Sequence, residues 1–378
     1  MKKLFALVLC LLMLLSAAKA ASDYAPVNRE DLKVGFVFFG DISDKGYNQA
    51  HYQGLLTMQE TLGLTDDQIV IRSNIPEGDA CDAALHGLID AGCQIIFGTS
   101  YGYMDCMEAL AYEYPEIIFS HCSGHRSNGV NFNNYYGAIY QAHYLSGIAA
   151  GLKTQTGMIG YVAAMETSQV ISGFNAFALG VQSVNSDAVV YVRYIRSCYD
   201  PDAERQAAEM LLDAGCDVIA QHCGSPAPQL AAEARGCFGV GCNTDMTADA
   251  PEAHLAAPVW KWDAVYTRQV QAVIDGAWMP ENIFLDMADG LVSLSYLSKN
   301  CAEGTAQALE AAWKKMLSGE FDVFNQALWD HQGNQLTDAD GRFLADIPGT
   351  SARLGEPITR DFITHEMTFT LQGIEFQE

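Results

Sequence analysis

The sequence predicts an α/β protein with two doubly wound parallel-sheet lobes joined by a hinge of several chain crossings. Three observations support this fold class. The chain has 378 residues, 49% of them hydrophobic, which is enough for two domains of ordinary size. Segments typical of buried strands alternate with segments of helical periodicity. The first two thirds of the chain also contain one pattern twice, which indicates two copies of a single unit.

The internal repeat consists of short matches at a common spacing of about 124 residues. Leu88 to Cys93 recurs as Leu211 to Cys216, and Ile71 to Ser73 recurs as Ile195 to Ser197. A third match joins the first apolar run of each copy. One such pair could arise by chance, but three in order at one spacing predict duplicated lobes.

Each copy alternates strand and helix, which favours a parallel sheet covered on both faces. In the first copy the strands are predicted at Val34 to Phe39, Gln68 to Arg72, Ile95 to Thr99 and Ile117 to His121, and the helices at Asn48 to Leu62 and Ala83 to Ala91. In the second copy the strands are predicted at Met158 to Ala163, Val189 to Ile195, Val218 to Ala220 and Phe238 to Gly241, and the helices at Gly173 to Val184 and Ala203 to Ala214. The carboxyl ends of these strands form the expected ligand side.

The last third of the chain does not repeat. Helices are predicted at Asp263 to Ile274 and Ala306 to Leu317, and turns at Gly333-Asn334 and Asp340-Gly341. We expect this part to add outer elements to both lobes and to cross between them. The predicted division is a signal peptide at 1–20, a first lobe at 33–125, a second lobe at 126–250, and hinge crossings with outer elements of both lobes at 251–378.

The N-terminus is typical of a secretory signal. Two lysines precede an apolar run from Leu4 to Leu15, and a small-residue cleavage pattern, Ala18-Lys19-Ala20, follows it. The run is well short of the roughly 20 residues that a membrane-spanning helix needs. We therefore expect cleavage after Ala20 and an exported, periplasmic or other extracytoplasmic protein. A lipid anchor at Cys10 is not expected, because Leu9 is too large for the residue before a lipidated cysteine.

The charge argues against a nucleic-acid-binding protein, and the cysteine spacing argues against a compact disulfide framework. The formal net charge is −25 with no basic run, so a nucleic-acid backbone would repel the chain. Of the 11 cysteines, one lies in the predicted signal peptide. Cys237 and Cys242 flank a predicted strand whose ends lie roughly 16 Å apart, far beyond disulfide reach. Several cysteines are therefore predicted to be small buried residues, and the pairing of the rest stays open.

Segments from about Lys33 to Gly333 resemble the basic membrane protein family of extracytoplasmic solute receptors. They are Gly40 to Gly54, Tyr140 to Gly147, Met158 to Gly180, Tyr199-Asp200-Pro201, Ala220 to Ala227, Asn243 to Met246 and Val259 to Trp262. The resemblance implies the type I periplasmic binding fold with three hinge crossings, a monomer without cofactor, an ABC permease as partner and a small-molecule ligand. Relatives resemble purine nucleoside receptors, and the branch most similar to this chain implies adenine.

The resemblance also implies the binding residues. Tyr47 matches the ring that packs on the base, and Asp245 matches an acid that in nucleoside binders contacts the ribose. Trp260 stands where the adenine-type branch has a tryptophan, which favours a base over a nucleoside. The remaining candidates, some of them suggested by their place at predicted strand ends, are Asp44, His51, Tyr101, Tyr199 and Asn243. Trp262, two residues after Trp260, is expected to face the opposite side and to lie in the core.

Two departures from the family leave the ligand open. Cys198 stands where relatives usually have a stacking Trp or Phe, and Cys223-Gly224 stands where many have Thr-Asp. Asp44 could instead cap the helix that follows it. Each candidate aromatic ring could also simply pack in the core.

Other functions receive less support from the sequence. His121-Cys122, His125 and His222-Cys223 offer soft ligands near strand ends, but their spacing matches no standard zinc pair, so no metal is predicted. An exported hydrolase could use Asp44 and Asp245 as acid and base, although the chain has no nucleophile elbow, phosphate loop or zinc helix. A sensory receptor of the same fold for a different solute is the other alternative. A non-catalytic transport receptor is the prediction.

Overall fold

The computed structural model describes residues 24–377, so the predicted signal peptide lies outside the described part of the chain. The described strands are, in chain order, β1 (Val34–Val37), β2 (Ile69–Arg72), β3 (Ile95–Gly98), β4 (Ile118–Cys122), β5 (Phe132–Gly137), β6 (Met158–Ala163), β7 (Val189–Tyr194), β8 (Val218–His222), β9 (Phe238–Gly239), β10 (Pro258–Trp260), β11 (Ile283–Leu285), β12 (Val292–Leu294) and β13 (Ile374–Phe376). The described α-helices are α1 (Tyr47–Leu62), α2 (Asp79–Asp90), α3 (Met104–Glu113), α4 (Ile139–Lys153), α5 (Ser168–Gln182), α6 (Pro201–Asp213), α7 (Ala227–Ala234), α8 (Asp263–Ile274) and α9 (Thr305–Leu317).

Two parallel sheets form two lobes. The sheet of the first lobe has the order β2-β1-β3-β4-β5-β11, and that of the second lobe has the order β13-β7-β6-β8-β9. Val34 of β1 lies opposite Ile69 and Ile95, and Ile159 of β6 lies opposite Val190 and Val218 in the same arrangement. The α/β class with parallel sheets is thus confirmed, and corresponding strands of the two copies take corresponding places.

The repeated Leu-x-Asp-Ala-Gly-Cys sequence ends one helix in each lobe. Gly92 after α2 and Gly215 after α6 have φ angles of 84° and 106°, a conformation that glycine adopts without strain. The amide of the following cysteine donates to the carbonyl of Leu88 (3.2 Å) in one lobe and of Leu211 (3.1 Å) in the other. This is the Schellman arrangement, in which the residue after the glycine turns inward. Both cysteines are accordingly buried.

The chain crosses between the lobes three times. It leaves the first sheet after β5, returns between β10 and α8 to supply β11, and leaves again before β12. Strands β10 and β12 pair in antiparallel fashion and form a two-stranded hinge ribbon. Because β5 belongs to the first sheet, we place the first crossing at Ala138 rather than at the predicted division between residues 125 and 126.

Helices α4 and α5 pack closely in the second lobe through two glycines. A Cβ atom at Gly147 would lie 3.0 Å from the carbonyl carbon of Phe177, and one at Gly180 would lie 2.9 Å from that of Tyr144. Almost every residue of α4 is buried, which explains why its sequence shows no amphipathic pattern.

The residues after α9 add irregular outer structure to the second lobe and end in β13. The predicted turns are present, with Gly333 and Gly341 at φ angles of 84° and 72°. Arg360 in this segment forms an ion pair with Asp286 (2.6 Å), just after β11. No helix in residues 24–377 combines the length and the apolar character needed to cross a membrane.

The cysteines of residues 24–377 are free thiols. Most are buried, as predicted, and Cys198 is exposed. The sulfur atoms of Cys81 and Cys106, at the first turns of α2 and α3, lie 2.7 Å apart. The hydrogen bond between them raises the pKa of Cys81 and lowers that of Cys106.

Candidate functional site

The carboxyl ends of the two sheets define an interlobe cleft. Among residues 24–377, five residues other than glycine have positive φ angles, and all follow the carboxyl end of a strand: Lys45, Asn74, Ser123, Arg196 and Asn243. A positive φ is strained for residues with a Cβ atom, and such strain tends to collect at functional sites. The backbone geometry therefore points to the same edge of the sheets as the fold does.

The two lobes touch across this cleft, so the structure represents a closed form. Lys45 of the first lobe forms an ion pair with Asp249 of the second, and its carbonyl accepts a hydrogen bond from Thr244 Oγ1 at 2.6 Å. Gly46 lies directly against Gly224. A Cβ atom at Gly46 would overlap the Gly224 carbonyl oxygen and lie 2.7 Å from its carbonyl carbon.

Asp44 organises the loop that makes these contacts. Its carboxylate accepts hydrogen bonds from the amides of Gly46 (2.9 Å), Asn48 (3.0 Å) and Gln49 (2.9 Å) and from the side chain of Asn48 (2.8 Å). Four donors at the start of α1 satisfy this carboxylate. Its negative charge also complements the positive end of the helix dipole. The geometry therefore gives Asp44 a capping role, which was the alternative left open by its sequence.

Tyr47 lies at the first turn of α1, beside the carboxyl ends of β3 and β4. Its hydroxyl donates to the carbonyl of Thr99 (2.8 Å) and lies 3.4 Å from Cys122 Sγ. His51, one turn later, is fully buried and pairs with the Tyr266 hydroxyl through Nδ1 (2.6 Å). Burial holds the pKa of His51 well below its usual range, so the ring is neutral. His51 thus supports Tyr47 from behind.

A stack of rings forms the hinge side of the site. Trp260 stacks on Trp262 at 4.2 Å, and Trp262 stacks on His51 at 4.2 Å. Tyr136, at the end of β5, contacts Trp260 at 5.2 Å. The burial of Trp262 in the core is confirmed, but the prediction that it faces away from Trp260 is wrong. Strand β10 ends at Trp260, and Trp262 already has the helical backbone that begins α8.

Asn243 and Asp245 follow β9 but point to different surroundings. Asn243 is buried. Its side-chain amide donates to the carbonyl of Cys223 (3.2 Å), and its backbone carbonyl accepts from the Trp260 amide (3.1 Å). The Asp245 carboxylate accepts from the Thr247 amide (2.9 Å), and 43% of its side chain is exposed. Of the two, Asn243 therefore occupies the interior of the site.

A cavity lies beside the hinge. Its volume is about 840 Å³, and it opens between α1, the hinge ribbon and α9. The lining includes three of the sequence-predicted residues, Asn243, Asp245 and Trp260, together with Trp313 and Tyr296. We call it the hinge-flank pocket.

Tyr101 and Tyr199 lie at the rim of the cleft. Each follows a strand end of its own lobe, and the exposed fractions of the two side chains are 52% and 47%. Tyr199 packs beside Gly224, so it borders the contact between the lobes. Neither ring is enclosed enough to form the floor of a site.

Sequence reasoning missed three buried residues near the ligand side, Tyr136, His143 and Cys242, and considered Cys122 only as a metal ligand. Tyr136 and His143 lie on β5 and α4, which were not predicted. Burial raises the pKa of both thiols to about 12 and holds that of His143 well below its usual value. These groups are therefore uncharged at neutral pH, and the interior offers aromatic faces with neutral polar atoms.

The metal ligands considered from the sequence do not come together. His121 uses both ring nitrogens, with Nδ1 2.6 Å from Asn134 Oδ1 and Nε2 2.8 Å from the carbonyl of Ser100. His125 instead contacts His365 of the C-terminal segment, with ring centroids 5.6 Å apart. His222 lies in the second lobe, away from both.

Comparison with known proteins agrees with this architecture. A family described as Bmp, ABC transporter substrate-binding protein PnrA-like, matches residues 32–326. A purine-binding protein of Brucella abortus is 33% identical over 306 residues, covering 81% of this chain and 87% of its own. A putative ABC transporter glucose-binding protein of Haloferax volcanii is 31% identical over 311 residues, covering 82% and 78%.

Solved structures support the same fold. An ABC transporter solute-binding protein from Aeropyrum pernix K1 aligns with a TM-score of 0.67 at 18% identity, covering 77% of this chain and 92% of its own. The type I periplasmic binding fold expected from the sequence is confirmed. Sequence identity at this level is evidence for a shared fold alone.

Proposed function

Because the chain belongs to the Bmp family of PnrA-like ABC transporter substrate-binding proteins, we propose that it binds an adenine-like purine base between its lobes. The family resemblance seen in the sequence is thereby confirmed. Solute-binding proteins of this family are extracytoplasmic and work with an ABC permease. The observation that supports this choice of ligand is the group of aromatic rings at the carboxyl ends of the sheets, Tyr47, Tyr136 and Trp260, whose neighbours His51 and Cys122 are uncharged.

A purine base suits such an interior for two reasons. Its flat faces gain most from burial against aromatic rings, while each unpaired buried polar edge would cost roughly 1–3 kcal/mol. In our proposal Tyr47 packs against the base and Trp260 covers it from the hinge side. The amide of Asn243 and the imidazole of His222 supply neutral hydrogen-bonding groups. Asp44 positions α1 and His51 supports Tyr47.

Glucose is the second candidate, because one relative named as a glucose-binding protein is 31% identical to this chain. A sugar presents hydroxyl groups around its whole edge, and each needs a partner when buried. The carboxylate nearest to Tyr47 in sequence, that of Asp44, already accepts four hydrogen bonds. This arrangement favours a base over a sugar.

Closure would couple binding to transport. The contacts of Lys45 and Gly46 with the second lobe exist only when the cleft is shut, so a ligand that bridges the lobes shifts the population toward the closed form. The permease would then recognise the two lobe surfaces in that arrangement. We further propose that the protein acts as a monomer and catalyses no reaction on its ligand.

A thermal-shift panel tests the choice of ligand. Adenine is expected to raise the unfolding temperature of the mature chain, because a ligand at 100 times its Kd stabilises by about 2.7 kcal/mol. Nucleosides should act more weakly, and glucose and amino acids should have no effect. Tyr47→Leu should reduce the shift, whereas Tyr112→Leu, a matched change at an exposed tyrosine of α3, should not. A shift with glucose and none with any purine would refute the proposal.

A further inference from the structure

Three soft donor groups meet inside the second lobe. His143 comes from α4, His222 ends β8, and Cys242 follows β9. One side-chain donor atom of each lies within 4.8 Å of the other two. The rings of the two histidines are 4.9 Å apart and inclined by 30°. Residues that are distant in sequence, on three separate elements, thus converge on one point.

Two nitrogens at this point are buried without a partner. His143 Nε2 and His222 Nδ1 have no hydrogen-bond partner within residues 24–377. Buried polar atoms are nearly always satisfied, so two adjacent orphans call for an occupant. The other nitrogen of His143 lies 3.3 Å from the Tyr161 hydroxyl. Such a partner on the far side of an imidazole is how proteins fix the orientation of a histidine ligand.

Gly173 of α5 leaves room beside the orphaned atoms. A Cβ atom there would lie 2.7 Å from His222 Nδ1 and 3.5 Å from His143 Cδ2. Any other residue would therefore fill the space in front of the His222 nitrogen. The close approach and the unpartnered nitrogens are separate observations that indicate the same small space.

Both histidines are already in the form that binds a metal ion, whereas the cysteine must lose its proton. Burial lowers the pKa of His222 to about 4 and that of His143 well below its usual range, so both imidazoles are neutral bases at pH 7. Burial also raises the pKa of the Cys242 thiol to about 12. A bound cation would displace that proton to solvent and take the thiolate as its ligand.

We propose that His143, His222 and Cys242 form a binding site for a zinc ion. Two imidazoles and one thiolate form a donor set suited to this ion, and three protein ligands leave a fourth position for water or a ligand. Zn–N and Zn–S bonds of about 2.1 and 2.3 Å place tetrahedral ligand atoms roughly 3.3–3.6 Å apart, so the side chains move inward by about 1 Å on binding. His222 is the least buried of the three.

Cobalt substitution tests the site independently of solute binding. The mature chain, made without a polyhistidine tag and stripped with chelator, is titrated with Co²⁺. One equivalent should produce thiolate-to-cobalt absorption in the near ultraviolet and tetrahedral bands in the visible, and one equivalent of Zn²⁺ should abolish both. Zinc should also raise the unfolding temperature. Absence of thiolate absorption in the unaltered chain would overturn the proposal.

Variants locate the ligands. Cys242→Ser should remove the thiolate band and weaken zinc binding by more than the roughly 10–100-fold that loss of an outer-shell partner costs. Cys237→Ser, a half-buried cysteine whose thiol pKa is also raised by burial, is the matched control and should retain the band. His222→Gln provides a second test if Cys242→Ser does not fold. It should retain a thiolate band with altered intensity and bind zinc more weakly, and unchanged affinity in this variant would contradict the site.

Discussion

Replacing Gly46 by alanine is expected to weaken solute binding by about 5- to 140-fold. The new Cβ atom would overlap the carbonyl oxygen of Gly224 and lie 2.7 Å from its carbon, and neither can rotate away as a flexible side chain would. Overpacking of this kind costs about 1–3 kcal/mol, and each 1.4 kcal/mol is tenfold in affinity. The cost falls on the closed form, because Gly46 and Gly224 belong to different lobes.

The measurement is calorimetric titration with the best solute from the thermal-shift panel. Lys45→Ala is a milder variant for comparison, since it removes the ion pair with Asp249 without adding atoms. An ion pair with one exposed partner is worth about 0–1 kcal/mol, so this change should weaken binding by less than about fivefold. The unfolding temperature of the ligand-free Gly46→Ala chain separates lost closure from damage to α1. Unchanged affinity in Gly46→Ala would mean that the contact between the lobes is not part of the bound state.

Acidification of the metal-free chain from pH 7 to pH 5 is expected to lower the free energy of unfolding by about 4 kcal/mol through two histidines. Burial lowers the pKa of both His222 and His254 to about 4, against about 6.5 in an unfolded chain. Below pH 6.5 the unfolded state binds protons that the folded state cannot, so stability is lost as the pH falls toward 4. At pH 5 each group contributes about 2 kcal/mol to the loss. His51 and His143, whose pKa values are also lowered by burial, add to it.

Urea denaturation at several pH values checks this expectation. Protonation of acidic groups relieves repulsion in a chain of charge −25 and opposes the effect, so the comparison between variants is decisive. His254→Gln should flatten the dependence on pH between 6.5 and 5, even though it also disturbs the contact with Gln229. His86→Gln replaces a surface histidine and should leave the slope as it is. Equal slopes in all three chains would show that His254 titrates normally.

The elements that the sequence predicts well have strong local patterns. Strand β6 and helix α8 have the predicted bounds, because one is a continuous apolar run and the other has clear helical spacing. Strand β5 was missed because Asn133 and Asn134 interrupt its apolar character. The amide of Asn133 finds its partner in the carbonyl of Glu281 (2.9 Å), 148 residues away, a contact that no local window contains.

The residues of the candidate site could be predicted only where the elements that hold them could be predicted. Tyr47 and Trp260 could be named because they follow predicted strands or match the family, and the structure brings both to the ring stack around His51. Tyr136 and His143 could not, because they belong to elements that the sequence did not reveal. The direction of Trp262 depended on where β10 ends, and strand ends are less evident from sequence than strand interiors.

Hydrogen–deuterium exchange with and without adenine tests the central claim, that a planar base binds between the lobes. We expect protection on both walls at once, in the segments after β3 and β4 of the first lobe and after β8 and β9 of the second. Amide exchange from Lys45 to Tyr47, beside the contact between the lobes, should slow as well. Protection confined to α9 and the hinge ribbon would place the base in the hinge-flank pocket and contradict the proposal, as would the absence of any change.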